Sequence, residues 1–155
     1  MGVAVKHGVE MTYTGAMAQD AYLKSLSTMA LFSECTKREL QTIATNTDEV
    51  EVDAGYVLMK EGDIGQEAFI ILSGTASVMR NGRKVASLGR GSIFGELSLL
   101  DPGKRTATVV ADTDMDLLVV TGRGLQTTLK AAPAIAVKLL RNLAGRLRES
   151  ENAAN

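Results

Sequence analysis

The chain has 155 residues, of which 45% are hydrophobic and 23% charged, and its formal net charge is −1. These proportions are typical of one globular domain, and the near-neutral charge gives no general attraction to nucleic acid. A single cysteine excludes an internal disulfide framework, and with a single histidine it cannot form a structural zinc site. No apolar run approaches the roughly 18 residues of a membrane span. We therefore expect a cytoplasmic protein without a metal or a membrane attachment.

The N-terminal part of the chain divides into a tail and a helical segment. Residues 1–17 lack the apolar core of a secretory signal and are interpreted as a flexible tail. Residues 18–155 are interpreted as one domain. Within 18–45, Leu23, Leu26 and Met29 recur near a 3.6-residue period, and "TKRE" at 36–39 has the form of a capping box. This pattern predicts two helices with a break near residues 32–35.

Residues 48–120 consist of short β-rich runs separated by turn residues. The runs are EVEV, YVLM, AFIIL, TASVM, KVASL, SIF, TATVVA and MDLLVV. Asn81-Gly82 is the strongest hairpin signal, because both positions tolerate a positive φ. Eight short strands with this punctuation predict an antiparallel sandwich, jelly roll or barrel.

Helical character returns over residues 125–150, where Pro133 suits the first position of a last helix. In that helix, Ala136, Leu140, Leu143 and Leu147 follow one another at intervals of four, three and four residues. The last helix therefore has one apolar face, which could close over the domain or pair with a second copy of the chain.

One stretch inside the β-rich block, "FGELSLLDPGKRTATVVA" from Phe94 to Ala111, differs from the strands around it. "GELSLL" predicts a short helix, whose first turn exposes unpaired N–H groups and a partial positive charge. Gly95 allows a ligand to approach the backbone, and Glu96 offers two oxygens to a pair of hydroxyls.

Arg105 enters the following strand, whose residues indicate burial on both faces. A guanidinium in such a strand needs an anion, and it forms bidentate pairs with phosphate. Two interpretations follow. In one, Glu96 and Arg105 form a buried ion pair in a domain without a ligand; in the other, Arg105 and the helix amides hold a phosphate while Glu96 holds ribose.

The same stretch closely resembles the phosphate-binding cassette of cyclic nucleotide-binding domains, in which F-G-E-[LIV]-x-L-[LIMV] is followed by a short loop and R-[AST]-A. The segments "LFSECTKRELQTIA", "AGYVLMKEGDIGQEAFIILSGTASV" and "GSIFGE" resemble other parts of that family, in the family's order. The resemblance covers about residues 22–150. It implies an eight-stranded jelly roll with N-terminal helices, a short cassette helix and C-terminal lid helices.

The resemblance also implies roles for individual residues. Glu96 would bind the ribose 2′-hydroxyl, and Arg105 would bind an exocyclic oxygen of the cyclic phosphate. Thr106 would touch the phosphate or the purine. The full set of implied ligand-binding residues is Phe94, Gly95, Glu96, Leu97, Ser98, Arg105, Thr106 and Ala107, where the amides of Gly95, Leu97 and Ser98 cap the phosphate. The implied lid residues are Leu143, Arg146 and Leu147.

Thr106 leaves the identity of the nucleotide open. In the family, a hydroxyl here can bind the 2-amino group of a syn guanine and favour cGMP, but it also occurs in cAMP-binding bacterial regulators and channels. Our preference is cAMP, with cGMP as the alternative.

Three classes of protein could use such a pocket. The first is a regulatory or sensor module that binds cyclic nucleotide, moves its last helix and signals to an unidentified protein partner, as a monomer or as a homodimer through that helix. The second is the ligand-binding part of a larger transcription regulator, or a degenerate interaction domain. The third is an enzyme on a cupin-like barrel, but the chain lacks the histidine cluster of such metal sites. We expect the first, with no catalysis, no cofactor and no direct nucleic-acid contact.

Overall fold

The structure is a computed structural model, and it describes residues 3–6, 9–13, 23–24, 26–29, 32–95 and 103–154. In this part of the chain, the helices of defined extent are α1 (Lys37–Thr45), α2 (Gly122–Ala131) and α3 (Ala134–Ala154). The strands are β1 (Val3–Lys6), β2 (Val9–Tyr13), β3 (Asp48–Val52), β4 (Val57–Met59), β5 (Ile64–Gly65), β6 (Glu67–Ser73), β7 (Ala76–Arg80), β8 (Arg83–Leu88), β9 (Ile93–Phe94), β10 (Gly103–Lys104), β11 (Thr108–Ala111) and β12 (Met115–Thr121).

The strands form antiparallel sheets, as the sequence predicts. One sheet has the order β1-β2-β3-β12-β6-β9, a second has the order β4-β11-β7-β8, and β10 pairs with β5. The eight predicted runs correspond to β3, β4, β6, β7, β8, β9, β11 and β12. The fold is therefore the predicted jelly roll with flanking helices, to which the structure adds four further short strands.

The N-terminal segment differs from the flexible tail indicated by the sequence. The structure places β1 and β2 there, with β2 pairing against β3 so that Met11 lies opposite Val52 and Tyr13 opposite Val50. The sequence "VEMTY" alternates apolar and polar residues, which suits a strand whose side chains point to opposite faces of a sheet. Because β3 would otherwise present unpaired backbone groups, pairing with β2 satisfies them.

The helical segment before the sheets follows the predicted pattern. Thr36 caps α1: its hydroxyl accepts from the Glu39 amide at 3.1 Å, and the Glu39 carboxylate accepts from the Thr36 amide at 2.8 Å. This is the predicted capping box. The break at 32–35 is present, and residues 23, 24, 26 and 27 are helical. At the other end of the chain, Pro133 separates α2 from α3, close to the predicted boundaries.

Two hydrophobic clusters lie on opposite faces of the six-stranded sheet. The inner cluster lies between the two main sheets and includes Phe69, Ile71 and Leu117. The outer cluster packs Ile70 and Leu118 of the same strands against the helices. Strands β6 and β12 thus bury both faces, which explains why their sequences are almost continuously apolar. None of the described helices is both long enough and apolar enough to cross a membrane.

The Asn81-Gly82 turn joins β7 to β8 as predicted. Both residues have a positive φ, 52° at Asn81 and 76° at Gly82. This combination is that of a type I′ turn, whose twist matches two antiparallel strands. The turn fixes the register in which Arg80 lies opposite Arg83.

Three carboxylates cluster on the outer face of the six-stranded sheet. Asp116 of β12 lies opposite Glu51 of β3, and Glu49 lies close to both. Burial raises the pKa of Asp116 to about 8, and hydrogen bonding with Glu49 and repulsion from Glu49 and Glu51 add to the rise. Its Oδ1 atom is buried and accepts no hydrogen bond from the described residues. Asp116 is therefore largely protonated at neutral pH.

This raised pKa predicts a loss of stability in alkali. A carboxyl group whose folded pKa exceeds its unfolded value favours the folded state fully below the unfolded pKa, which is ordinarily near 3.8, and that contribution falls as pH rises until it is gone above about 8. Asp116→Asn should therefore melt at a higher temperature than the parent at pH 9, and the difference should shrink towards pH 5. Asp48→Asn, an exposed change at the start of β3, is the control. If the melting temperatures of Asp116→Asn and of the parent changed equally between pH 5 and 9, the raised pKa of Asp116 would be contradicted.

Candidate ligand-binding site

Arg105 lies between β10 and β11 at the point where the chain enters the four-stranded sheet. Its side chain is 7% exposed, and it begins a series of inward-facing residues that continues with Ala107, Val109 and Ala111. Thr106 is exposed, and Thr108 and Val110 are half-buried. The expectation that this strand is buried on both faces is therefore wrong: only the inner face is buried. The guanidinium belongs to the inner face, at the mouth of the space between the sheets.

The backbone of Arg105 is fixed by the turn between β4 and β5. Its amide donates to the carbonyl of Asp63 at 2.7 Å, and its carbonyl accepts from the amide of Gly62 at 2.9 Å. The pairing continues in β10, where Gly103 lies opposite Gly65. Arg105 is consequently held at its Cα by a ladder that does not depend on the side chain.

Two glycines hold the guanidinium itself. A Cβ atom added to Gly65 would lie 1.9 Å from Nε of Arg105, and one added to Gly95 would lie 2.8 Å from Nη1. The Nη1 group donates to the carbonyl of Gly95 at 3.3 Å. Gly95 also has a φ of 77°, which disfavours any side chain. Only residues without a side chain fit on these two sides of the arginine.

The charge of Arg105 is partly desolvated. Burial lowers the pKa of its guanidinium, and the nearby carboxylate of Glu67 acts in the opposite direction. Glu67 and Arg105 line a cavity of about 430 Å³ on one side, together with Lys60 and Asp63. The structure thus places Glu67 beside the arginine, and Arg105 also lines a second cavity.

The second cavity, of about 200 Å³, opens between the sheets and has the composition of a small-molecule site. Its wall combines apolar side chains with a few polar groups. The lining residues in the described part of the chain are Met59, Val78, Arg80, Leu88, Ile93, Phe94, Gly95, Lys104, Arg105, Thr106, Ala107 and Val109. An anion that reached Arg105 through this cavity would place its apolar part against the wall.

The structure brings together five of the residues that the sequence singled out. Phe94, Gly95, Arg105, Thr106 and Ala107 all line the smaller cavity. The ring of Phe94 stacks on that of Phe69, with centroids 5.0 Å apart, which fixes the first residue of the cassette.

The remaining predicted residues lie outside what the structure describes. Glu96, Leu97 and Ser98 belong to residues 96–102, so their roles stay predictions. Leu143, Arg146 and Leu147 fall within α3, but their side chains lie outside the described part of the chain.

Several residues of the site were not singled out by the sequence reasoning. Gly65 and Glu67 belong to the "GDIGQE" segment, and Arg80 and Lys104 come from two different sheets. The resemblance covered these positions but assigned no role to them. A glycine two residues before a strand was the available signal, but only the tertiary structure shows that it lies against an arginine 40 positions later.

The first half of α3 is fastened to the N-terminal helical segment. Ile135 is fully buried in the outer cluster. Lys138 pairs with Glu39 of α1 at 2.5 Å, and Arg141 pairs with Glu34 at 3.5 Å. The two cations are one turn apart on the helix, so they secure one face of its first two turns.

A buried arginine at the mouth of an apolar cavity, in a jelly roll with a helical end, defines a class of domain that binds small anionic ligands. Comparison with known proteins gives the family. Residues 49–132 match the family model described as the cyclic nucleotide-binding domain. The chain belongs to this family.

Relatives and solved structures agree with that assignment. The chain is 36% identical over 102 residues to the cyclic AMP receptor protein of Thermus thermophilus, a match covering 63% of this chain and 47% of that protein. The N-terminal domain of a transcriptional regulator from Streptomyces coelicolor superposes with a TM-score of 0.72 and 34% identity, covering 84% of this chain and 95% of that one. A cyclic nucleotide-binding domain from Methylobacillus flagellatus gives 0.78 and 25%, with coverages of 92% and 86%. The chain spans about half the length of the first curated relatives that it matches.

The contact between Gly65 and Arg105 can be tested by adding one methyl group at residue 65. Gly65→Ala should displace the guanidinium, because the new Cβ would lie 1.9 Å from Nε. We expect at least a tenfold loss of cyclic nucleotide affinity, which corresponds to about 1.4 kcal/mol, measured by titration calorimetry. Gly122→Ala, where a Cβ meets nothing within 4 Å, is the matched control. Equal affinities of the two variants would contradict the contact.

The Lys138–Glu39 pair should stabilise the fold above acidic pH. The hydrogen bonds that Glu39 accepts from Lys138 and from the Thr36 amide lower the pKa of its carboxyl group. The stability that the pair contributes is therefore present above the unfolded pKa of Glu39, and it is lost as pH falls through the folded pKa. A double-mutant cycle with Lys138→Met and Glu39→Gln should give a coupling of about 0.2–1 kcal/mol at pH 7, and none at pH 2.5. The more exposed pair Arg141–Glu34 is the control, with a smaller expected coupling. Chemical denaturation measures both, and a Lys138–Glu39 coupling independent of pH would exclude the ion pair.

Proposed function

We propose that the protein binds a cyclic nucleotide in the 200 Å³ cavity, with Arg105 as the partner of the cyclic phosphate. The observation that carries this proposal is the buried guanidinium, which is held between Gly65 and Gly95 and faces an apolar cavity. Arginine matches a phosphate in two parallel hydrogen bonds, and such bonds are stronger away from water. The purine would then lie against the apolar wall near Val78 and Leu88.

The remaining ligand contacts are proposed on the cassette motif. Glu96 would bind the ribose 2′-hydroxyl, and the amides of Leu97 and Ser98 would join Gly95 around the phosphate. A carboxylate and a helix start suit these groups, since the first accepts hydrogen bonds from hydroxyls and the second donates to anions.

We infer cAMP as the preferred ligand, with cGMP as the alternative. The name of the Thermus relative, cyclic AMP receptor protein, supports cAMP. Thr106 lines the cavity and is exposed, and we propose that its hydroxyl can contact either ligand. Its backbone carbonyl accepts from Nε of Arg80 at 3.2 Å, which fixes the position from which the hydroxyl acts.

The proposed output is a change in the last helix. A ligand shifts a conformational equilibrium only through its different affinities for the two states. Because the first two turns of α3 are fastened by Ile135, Lys138 and Arg141, we propose that the part beyond Asn142 moves and that Leu143, Arg146 and Leu147 form the lid. The moving segment would signal to a protein partner in the cytoplasm, without catalysis by this domain.

A second candidate is the ligand-binding part of a larger transcription regulator. It is supported by the coverage of the relatives, which are about twice as long as the matched region, and by the likeness to the N-terminal domain of a regulator. Both candidates use the same pocket and the same last helix, so the binding experiment below bears on each.

Arg105→Ala tests the binding site directly. Removing one partner of a buried charge-assisted contact costs about 2–5 kcal/mol, which is about 30-fold to several thousand-fold in affinity. Titration calorimetry with cAMP and cGMP should therefore show binding to the parent protein and little to the variant. Arg123→Ala, an exposed change in α2, should bind like the parent.

Two results would count against the proposal. Unchanged affinity in Arg105→Ala, with the melting temperature preserved, would remove Arg105 from the site. A parent protein that binds neither nucleotide at millimolar concentration would instead be a degenerate interaction domain.

A further inference from the structure

Arg80 occupies a defined place at the mouth of the smaller cavity. In β7, Val78 lies opposite Val109 and packs against the inner cluster. Because side chains alternate along a strand, Arg80 is on the same face of β7 as Val78, just beyond the pair formed by Met79 and Thr108. Arg80 therefore stands between the apolar wall and Arg105, and it lines the cavity with both.

One hydrogen bond anchors the Arg80 guanidinium. Its Nε group donates to the carbonyl of Thr106 at 3.2 Å. Of the five N–H groups of an arginine, this bond uses one and leaves the four on the terminal nitrogens. The adjacent carboxylate of Glu61 accepts from the amide of Asn81 at 3.1 Å. Among the described residues, no carboxylate lies within ion-pair distance of Arg80.

The charges around the cavity have one sign. Arg80, Lys104 and Arg105 line it, and no acidic side chain does so among the described residues. Arg105 has Glu67 on its other side, whereas neither of the other two cations has an acidic neighbour within ion-pair distance in the described part of the chain. Burial strengthens the attraction of Arg105 for an anion in the cavity, whereas Arg80 and Lys104 are exposed and act through water, where salt screens them.

We propose that Arg80 is a second cationic determinant of ligand affinity, acting on the same phosphate charge as Arg105 from the opposite strand. This inference rests on the proposed function. Anchoring of Nε on Thr106 restricts the side chain before the ligand arrives, so less conformational entropy is lost on binding. Because the interaction is with the charge of the ligand and not with its base, it contributes equally to cAMP and cGMP.

The experiment compares two arginines of one hairpin. Arg80→Gln and Arg83→Gln remove the same charge, and the two residues are cross-strand partners, but only Arg80 lines the cavity. We expect Arg80→Gln to lose about tenfold in affinity for both nucleotides, equivalent to about 1.4 kcal/mol, and Arg83→Gln to lose less than about twofold. Arg80→Lys keeps the charge and should stay within about threefold of the parent. Calorimetry at two salt concentrations should also show a weaker salt dependence for Arg80→Gln than for the parent.

The possible outcomes distinguish the role of Arg80 from the proposed function. Parent-like affinity in Arg80→Gln, or equal losses in Arg80→Gln and Arg83→Gln, would overturn the role of Arg80 while the proposed function stands. A loss confined to one nucleotide would assign Arg80 to the base instead, and an Arg80→Lys variant as weak as Arg80→Gln would show that the anchor matters and the charge does not. Failure of the parent to bind either nucleotide would overturn the proposed function, and this inference with it.

Discussion

The structure depends on the burial of one guanidinium where the two sheets meet. Removing a charge from water costs several kcal/mol unless other groups compensate for it. Around Arg105, the carbonyl of Gly95 accepts a hydrogen bond from the guanidinium, and Glu67 raises its pKa against the effect of burial. Two glycines bring the backbone close to the arginine on both sides, and they leave open the direction of the cavity. Arg105 thus combines a buried charge with a place in the wall of a cavity.

The six-stranded sheet connects this site to the helices. Along β6, Phe69 and Ile71 face the inner cluster, whereas Ala68 and Ile70 face the outer one. Phe69 stacks on Phe94, the first residue of the cassette, and Ile70 belongs to the same cluster as the fully buried Ile135 of α3. The ligand side and the helical side therefore share one layer of backbone. Strand β6 therefore contacts both the cluster beside the cavity and the cluster that holds the start of α3.

Local interactions were predictable from the sequence wherever a few neighbouring residues decide the outcome. The capping box at Thr36 and Glu39 needs only residues three apart, and the turn at Asn81-Gly82 needs only two positions that tolerate a positive φ. The strand before β3 was missed: residues 9–13 alternate in polarity, but their pairing depends on the open edge of a strand 40 residues later. The burial of β11 was also overestimated, since small residues on its outer face resemble those of a core.

The sequence by itself determined the family and the order of eight of the strands, and it singled out Arg105, because the cassette and each strand-forming run are contiguous stretches of the chain. The tertiary structure alone decided what surrounds the guanidinium. Gly65, Glu67 and Arg80 come from three strands, β5, β6 and β7, that are distant from Arg105 in the chain. The pairing of β5 with β10 and of β7 with β11 brings the first and the last of these strands to the arginine. Such contacts depend on sheet pairing over long separations, which no local pattern of residues specifies.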